Sequence, residues 1–221
     1  MKTQKPVDLS DAYWGQLSEQ HRALYAIVRP QAVPTYTVDL LLPDVESFLK
    51  GLERDMVSAG GRVELEPDFQ RGHVLTDQQR TSYVEALIRG NAPKTIQFNC
   101  PGWSGRSDCG DIPSHTFQCV DGLQRFTAVR RFVAGEVKVF GGKTVADLRG
   151  SPFDARRFTL RIAVHEFKNR SDLLQFYLDL NAGGTVHTQA ELERVQALLH
   201  AEASGPGAGM DKSPAHARAG Q

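Results

Sequence analysis

The segment Val120-Asp121-Gly122-Leu123-Gln124-Arg125 links a predicted strand to a predicted helix. Before it, Thr116-Phe117-Gln118-Cys119-Val120 is rich in residues that favour β-strands. After it, apolar residues recur at the spacing of one helix face, at Leu123, Phe126, Val129, Phe132 and Val133. A helix that starts in such a turn exposes unpaired N–H groups and the positive end of its dipole. The segment therefore predicts a strand–turn–helix unit that is suited to binding phosphate.

Four residues of this turn are candidates for binding or catalysis. Gly122 lets the backbone approach a ligand closely, and Gln124 adds a hydrogen-bond donor. Arg125 is the first choice for a phosphate ligand, because its planar guanidinium matches phosphate oxygens; the alternative is a surface salt bridge of little energy. Asp121 would orient a metal-bound or attacking water. Alternatively, Asp121 only caps the helix, since Asp-x-x-Gln resembles a capping box.

Two further segments accompany the turn. Glu66 to Gln79 contains Phe69-Gln70-Arg71, and a later loop reads Asn181-Ala182-Gly183-Gly184-Thr185. Together the three resemble the GmrSD-type N-terminal family. Its members carry Phe-Gln-Arg ahead of a helix, then Asp-Gly-Gln-Gln-Arg or Asp-Gly-Lys-Gln-Arg, then Asn-x-Gly-Gly-Thr. The same order holds here between Leu65 and about residue 199.

That family is a ParB/sulfiredoxin-like domain, best known from bacterial restriction systems that attack modified phage DNA. Within that family, the chain resembles short, stand-alone members from phages and prophages. Leu75 stands where the family usually has Trp, and Leu123 stands at the variable third position of its Asp-Gly-x-Gln-Arg motif. Restriction members append an HNH-type nuclease domain, which we do not expect here, so the resemblance implies no nuclease activity.

The resemblance implies a nucleoside triphosphate site. Its phosphate-binding residues would be Gln70, Arg71, Gly122, Gln124, Arg125, Asn181, Gly183, Gly184 and Thr185. Its catalytic residues would be Asp121, Arg125 and Arg71. Mg²⁺ would accompany the nucleotide, with Asp68 or Asp121 as a candidate ligand, although no complete metal site is predicted. For the Asn-x-Gly-Gly loop, local reasoning also allows a helix C-cap.

Composition limits the class of protein. The 221 residues, 40% of them hydrophobic, suit one domain of about 200 residues plus a tail. No 18-residue apolar run and no signal peptide are visible, so we expect a cytoplasmic protein without membrane contact. Cys100, Cys109 and Cys119 are expected to be free thiols. With His115 they could form a Cys₃His site, but their spacing is not that of zinc motifs, and no zinc is expected.

Charge is distributed unevenly along a chain whose net charge is zero. Residues 1–70 hold 7 Lys/Arg and 11 Asp/Glu, whereas residues 121–170 hold 11 Lys/Arg and 5 Asp/Glu. The neutral total argues against a general polyanion binder. The basic block around the turn allows a nucleic-acid face, or a solvated surface that acids elsewhere in the fold balance.

The predicted fold class is α+β (mixed): a small mixed sheet surrounded by helices, which the resemblance assigns to the ParB/sulfiredoxin-like fold. Residues 1–34 are predicted to form an N-terminal helical extension with a helix from Ser10 to Ile27, residues 35–200 the domain, and residues 201–221 a disordered tail. Within the domain, a short strand is predicted at Val137 to Phe140, and the last helix is predicted to end near His200.

Three functions remain open. The first is a nucleotide-binding or nucleotide-hydrolysing ParB-like domain that acts in restriction-related or phage–host DNA metabolism. The second is a DNA-binding or Mg²⁺-dependent DNA-nicking protein in which the same turn holds a DNA phosphate. The third is a non-enzymatic phage regulator or anti-defence protein that binds a protein partner. A Walker-type phosphate loop, a His-Glu-x-x-His pattern and a Gly-x-Ser-x-Gly elbow are absent from the sequence.

Overall fold

A five-stranded mixed sheet lies at the centre of the computed structural model, which describes residues 5–6, 9–28, 30–70, 75–105, 110–181 and 189–204, with only the backbone of residues 189–192, 203 and 204. The sheet has the order β1-β5-β3-β4-β2. The β1–β5 and β3–β4 pairs are antiparallel, and the β5–β3 and β4–β2 pairs are parallel. The strands are β1 (Tyr36–Leu41), β2 (Arg62–Glu64), β3 (Thr95–Asn99), β4 (Thr116–Asp121) and β5 (Thr159–His165).

Helices occupy much of the rest of the described chain and do not alternate regularly with the strands. They are α1 (Asp11–Gln16), α2 (Glu19–Val28), α3 (Val45–Ser58), α4 (Asp77–Arg89), α5 (Leu123–Val133), α6 (Arg170–Asn181) and α7 (Gln189–Ser204). Short 3₁₀ turns cover Leu42–Asp44 and Ala155–Arg157. This intermixing around a small mixed sheet is the predicted α+β class.

Two apolar clusters cover the two faces of the sheet. Because side chains alternate along a strand, Phe117 and Cys119 of β4 pack with α3, α4 and α5 in one cluster. Val120 belongs to the other cluster, with Phe69 and residues of α6 and α7. Strand β4 is thus covered on both sides where it runs into the glycine turn, which holds the turn rigidly between the layers.

Local sequence signals set several helix ends. Helix α4 begins with a capping box: Gln79 N–H donates to Thr76 Oγ1 at 3.2 Å, and Thr76 N–H donates to Gln79 Oε1 at 2.8 Å. The helix ends at Gly90, whose φ of 82° is the left-handed conformation that glycine adopts without strain.

Three sequence predictions need correction. The Ser10 to Ile27 helix is broken, because the backbone of Leu17 is extended and Ser18 Oγ accepts from His21 N–H to start α2. The predicted strand at Val137 to Phe140 is a tight turn with a single bridge between Val139 and Lys143. The last helix continues to Ser204, so residues 201–204 do not belong to a disordered tail; residues 205–221 lie outside the described residues.

None of the helices in the described ranges is both long and apolar enough to cross a membrane.

Candidate functional site

Gly122 forms the turn between β4 and α5. Its φ is 94°, a left-handed conformation, and it is the residue that caps the start of α5. A Cβ at this position would lie 2.9 Å from both Ile96 Cδ1 and Arg125 Nη2. Glycine is therefore required twice, for its backbone conformation and for the close approach of these two side chains. Arg125 occupies the space beside Gly122 that a Cβ would fill, and a ligand bound at the turn would share that space with Arg125.

Asp121 and Arg125 form an ion pair across the turn, in which Arg125 Nη2 donates to Asp121 Oδ2. Both side chains are partly buried, with 31% of Asp121 and 21% of Arg125 exposed. The alternative in which Asp121 caps the helix is wrong, because Gly122 is the N-cap and no side chain caps α5. Asp121 instead fixes the position of the guanidinium beside the first turn of the helix.

Two side-chain hydrogen bonds join the Glu66 to Gln79 segment, which contains the Phe-Gln-Arg motif, to the glycine turn. Gln70 Nε2 donates to the carbonyl of Val120 at 2.9 Å. Leu75 N–H donates to Gln124 Oε1 at 3.3 Å. The capping box that Asp121 and Gln124 would have formed is thus replaced by a long-range contact. Gln70 and Gln124 lie together with Asp121 and Arg125, whereas Arg71 lies outside the described residues.

Asn181 ends α6 and is buried, but its amide is already used within its own helix. Its Nδ2 donates to the carbonyl of Tyr177 at 2.6 Å. The Tyr177 ring packs on Phe69 with 5.3 Å between ring centroids, and Phe69 O accepts from Arg194 Nη2 at 3.0 Å. Asn181 is therefore connected to the Phe-Gln-Arg motif through the packing of Tyr177 on Phe69. Gly183, Gly184 and Thr185 lie outside the described residues.

One apolar cluster underlies all three motifs. Phe69 precedes Gln70, Val120 precedes Asp121, and Tyr177 lies one helical turn before Asn181; all three belong to this cluster with Val195. Segments separated by about 50 residues each are thus held together by buried apolar contacts. This cluster places Gln70, the turn and the end of α6 in one region.

Arg80 is a basic residue that belongs to none of the three motifs. Its side chain is only 11% exposed, and its Nη1 donates to Asp77 Oδ1 at 2.7 Å. Its buried Nε has no partner among the described residues. Arg80 shares a helix face with Val84 and Leu87, which are buried, and α4 packs on α5. In the sequence, a charged residue at a position of the apolar helix face is the signal that predicts a buried arginine here.

Tyr83 lies near Arg125 from the side of α4. Burial raises the pKa of Tyr83 to about 12, and the positive charge of Arg125 partly opposes that rise. The Tyr83 hydroxyl donates to Pro93 O at 3.0 Å. Tyr83 therefore stays protonated and links α4 to the segment that leads into β3.

The predicted magnesium ligands do not share a site. Asp68 Oδ2 accepts from Arg170 Nη2 at 2.6 Å, in a different cleft from Asp121. Across the described ranges, no group of three or more His, Cys, Asp or Glu side chains is arranged to hold a metal ion. Of the two, Asp121 stays next to the phosphate candidates.

The cysteines that the structure describes are buried free thiols. Burial raises the pKa of Cys119, whose Sγ lies 3.9 Å from the carbonyl oxygen of Asp121. Burial also raises the pKa of Cys100 to about 12, and its Sγ lies 3.8 Å from Met56 Sδ. Both thiols are therefore protonated core groups, and Cys109 lies outside the described residues.

Many cations of the basic block 121–170 are paired with carboxylates. Arg130 Nε donates to Glu46 at 2.8 Å, and Arg161 Nε donates to Asp39 at 2.9 Å. Further pairs are Arg125–Asp121, Arg131–Glu136, Arg156–Asp154 and Arg170–Asp68. Acids from the first 70 residues thus balance part of the basic excess, as the second interpretation of the charge pattern expects, and this weakens the argument for a nucleic-acid face.

The comparisons with protein-family models, with curated proteins and with solved structures each found no match to this chain. The resemblance to the GmrSD-type N-terminal family therefore stays a prediction that rests on its three motifs.

Proposed function

We propose that the chain is a nucleotide-binding domain of ParB-like type, with the nucleoside triphosphate held at the β4–α5 turn. The observation that carries the proposal is the start of α5 at Gly122, which no side chain caps, beside the fixed guanidinium of Arg125. Backbone N–H groups and an arginine at a helix N-terminus are the donors that phosphate requires.

The surrounding residues support phosphate binding more than a structural turn alone. Gln70 and Gln124 connect the turn to the segment that leads into α4. Arg80 is not included in the proposed site, because Asp77 Oδ1, which accepts from Arg80 Nη1, also lies 3.5 Å from Arg131 Nη1 in the last turn of α5. The proposed phosphate ligands beside Arg125 are therefore the predicted Arg71, Asn181, Gly183, Gly184 and Thr185.

The Asp121–Arg125 pair suggests how Mg²⁺ would take part. A triphosphate that binds Arg125 competes with the carboxylate of Asp121, because both are acceptors for the same guanidinium. Asp121 would then be available to hold Mg²⁺ or a water bound to it. Hydrolysis would be a second step after binding. The arrangement of Asp121 and Arg125 is also compatible with a protein that binds the nucleotide without hydrolysing it.

A thermal-shift screen of the nucleoside triphosphates with Mg²⁺ tests binding, because a ligand of the folded state raises the melting temperature. Arg125→Ala should weaken binding of the best nucleotide about ten- to a hundredfold, the loss of one charge-assisted hydrogen bond of roughly 1.5–3 kcal/mol. Free-protein stability should fall by about 1–2 kcal/mol, between the values for exposed and buried pairs.

Arg89→Ala is the matched control, since Arg89 forms an i,i+4 pair with Glu85 at the other end of α4. It should leave nucleotide affinity unchanged. The proposal fails if no triphosphate raises the melting temperature, or if Arg125→Ala and Arg89→Ala bind nucleotide equally well. A protein partner that co-purifies in that case would favour the non-enzymatic regulator.

A further inference from the structure

A second cleft, of about 590 Å³, lies at the opposite end of β4 from the glycine turn. Its floor is formed by Thr116 and Gln118 of β4 and by the neighbouring parallel strand β2. Ile112 and Pro113 form an apolar wall, and Arg170 closes the side toward α6. This volume is in the range of cavities that bind small molecules.

The floor of the cleft contains buried polar atoms that lack partners. Thr116 is 1% exposed and Gln118 is 6% exposed. They are two residues apart on β4, so both side chains lie on the same face of the strand. No described residue forms a hydrogen bond with Thr116 Oγ1 or Gln118 Oε1. Since buried polar groups in native proteins are nearly always paired, these two atoms indicate a ligand.

The orientation of the Gln118 amide shows which kind of group the ligand must supply. Gln118 Nε2 donates to Glu64 Oε2 at 2.7 Å, and only the NH₂ group can donate to a carboxylate. The remaining atom, Oε1, is therefore an acceptor. A ligand that satisfies it must carry an N–H or O–H donor.

The charge of the lining indicates that this donor is cationic. Five carboxylates and two guanidiniums line the cleft. The carboxylates belong to Glu64, Glu66, Asp68, Asp111 and Glu202. Arg62 pairs with Glu64, and Arg170 pairs with Asp68 and Glu202. The acidic excess attracts cations and repels anions such as a nucleotide.

Two carboxylates are left for a ligand after these pairs. Asp111 Oδ1 accepts a backbone bond, from Arg170 N–H at 2.6 Å, and forms no ion pair within the described ranges. Glu66 is exposed and forms no ion pair with the part of the chain that the structure describes. A bare metal ion is disfavoured, because these carboxylates do not converge on one point among the described residues.

We infer that this cleft binds a small organic cation that carries ammonium or guanidinium groups, of the polyamine or alkylguanidine class. Its N–H groups donate to Gln118 Oε1, Thr116 Oγ1 and the carboxylates of Glu66 and Asp111. Its alkyl chain lies against Ile112 and Pro113. The site is independent of the proposed nucleotide site, since it shares none of that site's residues.

Calorimetric titration of the full chain with spermidine and with agmatine, at constant ionic strength, tests the inference. Mg²⁺ serves as the probe for unspecific attraction by negative charge, and 1,4-butanediol as the uncharged alkyl probe. Saturable binding of either amine, at least about tenfold tighter than Mg²⁺, is expected. Equal affinity for the amines and Mg²⁺, or no binding, would overturn the inference.

Two variants place the binding in this cleft. Thr116→Val keeps the shape of the side chain and removes Oγ1, which should weaken amine binding about two- to tenfold while leaving the melting temperature unchanged or higher. Glu66→Gln should weaken it about two- to fivefold. Glu53→Gln, an exposed carboxylate on α3, is the control and should bind like the unaltered protein. If all three variants bind the amine equally, the cleft is not the site.

Discussion

The two ends of strand β4 differ in how far their polar groups are paired. At the glycine turn, Asp121, Arg125 and Gln124 find partners within the protein, and Gln70 donates through Nε2, although its buried Oε1 has no partner among the described residues. At the cleft, Thr116 and Gln118 keep buried oxygen atoms for which no described residue provides a partner. A recognisable motif is thus partly closed on itself, whereas a strand start without any motif carries the stronger physical demand for a ligand. Motif strength and ligand demand are separate properties.

Glycine substitutions should give the largest effect and rank the two ends. A Cβ on Gly61, just before β2, would lie 2.1 Å from the backbone oxygen of His115 beside the cleft. A Cβ on Gly122 would contact the movable guanidinium of Arg125 and one methyl group of Ile96. The substitution would also strain the backbone, because Gly122 has a left-handed φ. Gly61→Ala should cost about 3 kcal/mol or more, because backbone cannot yield, and Gly122→Ala about 2–3 kcal/mol.

Gly135→Ala separates backbone strain from crowding. Gly135 has a φ of 82° and open space where the added methyl group would lie, so only strain of about 1–2 kcal/mol applies. Urea unfolding of the three variants gives the ranking. If Gly122→Ala lowers the free energy of unfolding no more than Gly135→Ala does, Arg125 moves aside freely, and the glycine turn is not held rigidly.

Sequence predicted the turn because its signal is contiguous: strand formers, then Asp121 and Gly122, then helical spacing within a few residues. It could not predict the cleft, whose walls come from five separate segments and whose buried oxygens depend on the β2–β4 pairing. The missed turn at Val139 shows the same limit. Its apolar alternation resembles a strand, but Phe140, Gly141 and Gly142 all adopt positive φ and reverse the chain.

Acid should weaken the apolar layer that both regions share. His165 is buried against Phe167 and Phe176, and burial lowers its pKa from 6.5 to about 4. The unfolded chain therefore binds more protons between pH 6.5 and 4. The contribution is fully present above pH 6.5 and is lost as the pH falls toward 4. Urea unfolding should show about 2 kcal/mol less stability at pH 5 than at pH 7.5 from this residue.

His165→Gln should reduce that pH dependence, whereas His21→Gln, on an exposed position of α2, should retain it. The comparison uses the difference between the two pH values and not the absolute stability, because the substitution also changes the bond to Gln97. An unchanged pH dependence in His165→Gln would show that another group titrates.

The smallest effect is expected from the N-terminal helices, which neither region uses. Helices α1 and α2 contain no buried residue, and Ile27 is 77% exposed. The side chain of Arg22 donates to carbonyls of Trp14 and Gly15, within the same extension. Deleting residues 1–28 should therefore change the melting temperature by less than about 2 °C, because less than about 0.5 kcal/mol of burial is lost. Differential scanning calorimetry measures this change in melting temperature.

Ile96→Ala is the positive control for the deletion, because Ile96 lies beside the turn and has no exposed surface. This substitution should lower the free energy of unfolding by about 2–5 kcal/mol. A drop after the deletion that approaches the control would show that the extension packs on the domain, and the division at residue 34 would have to be abandoned.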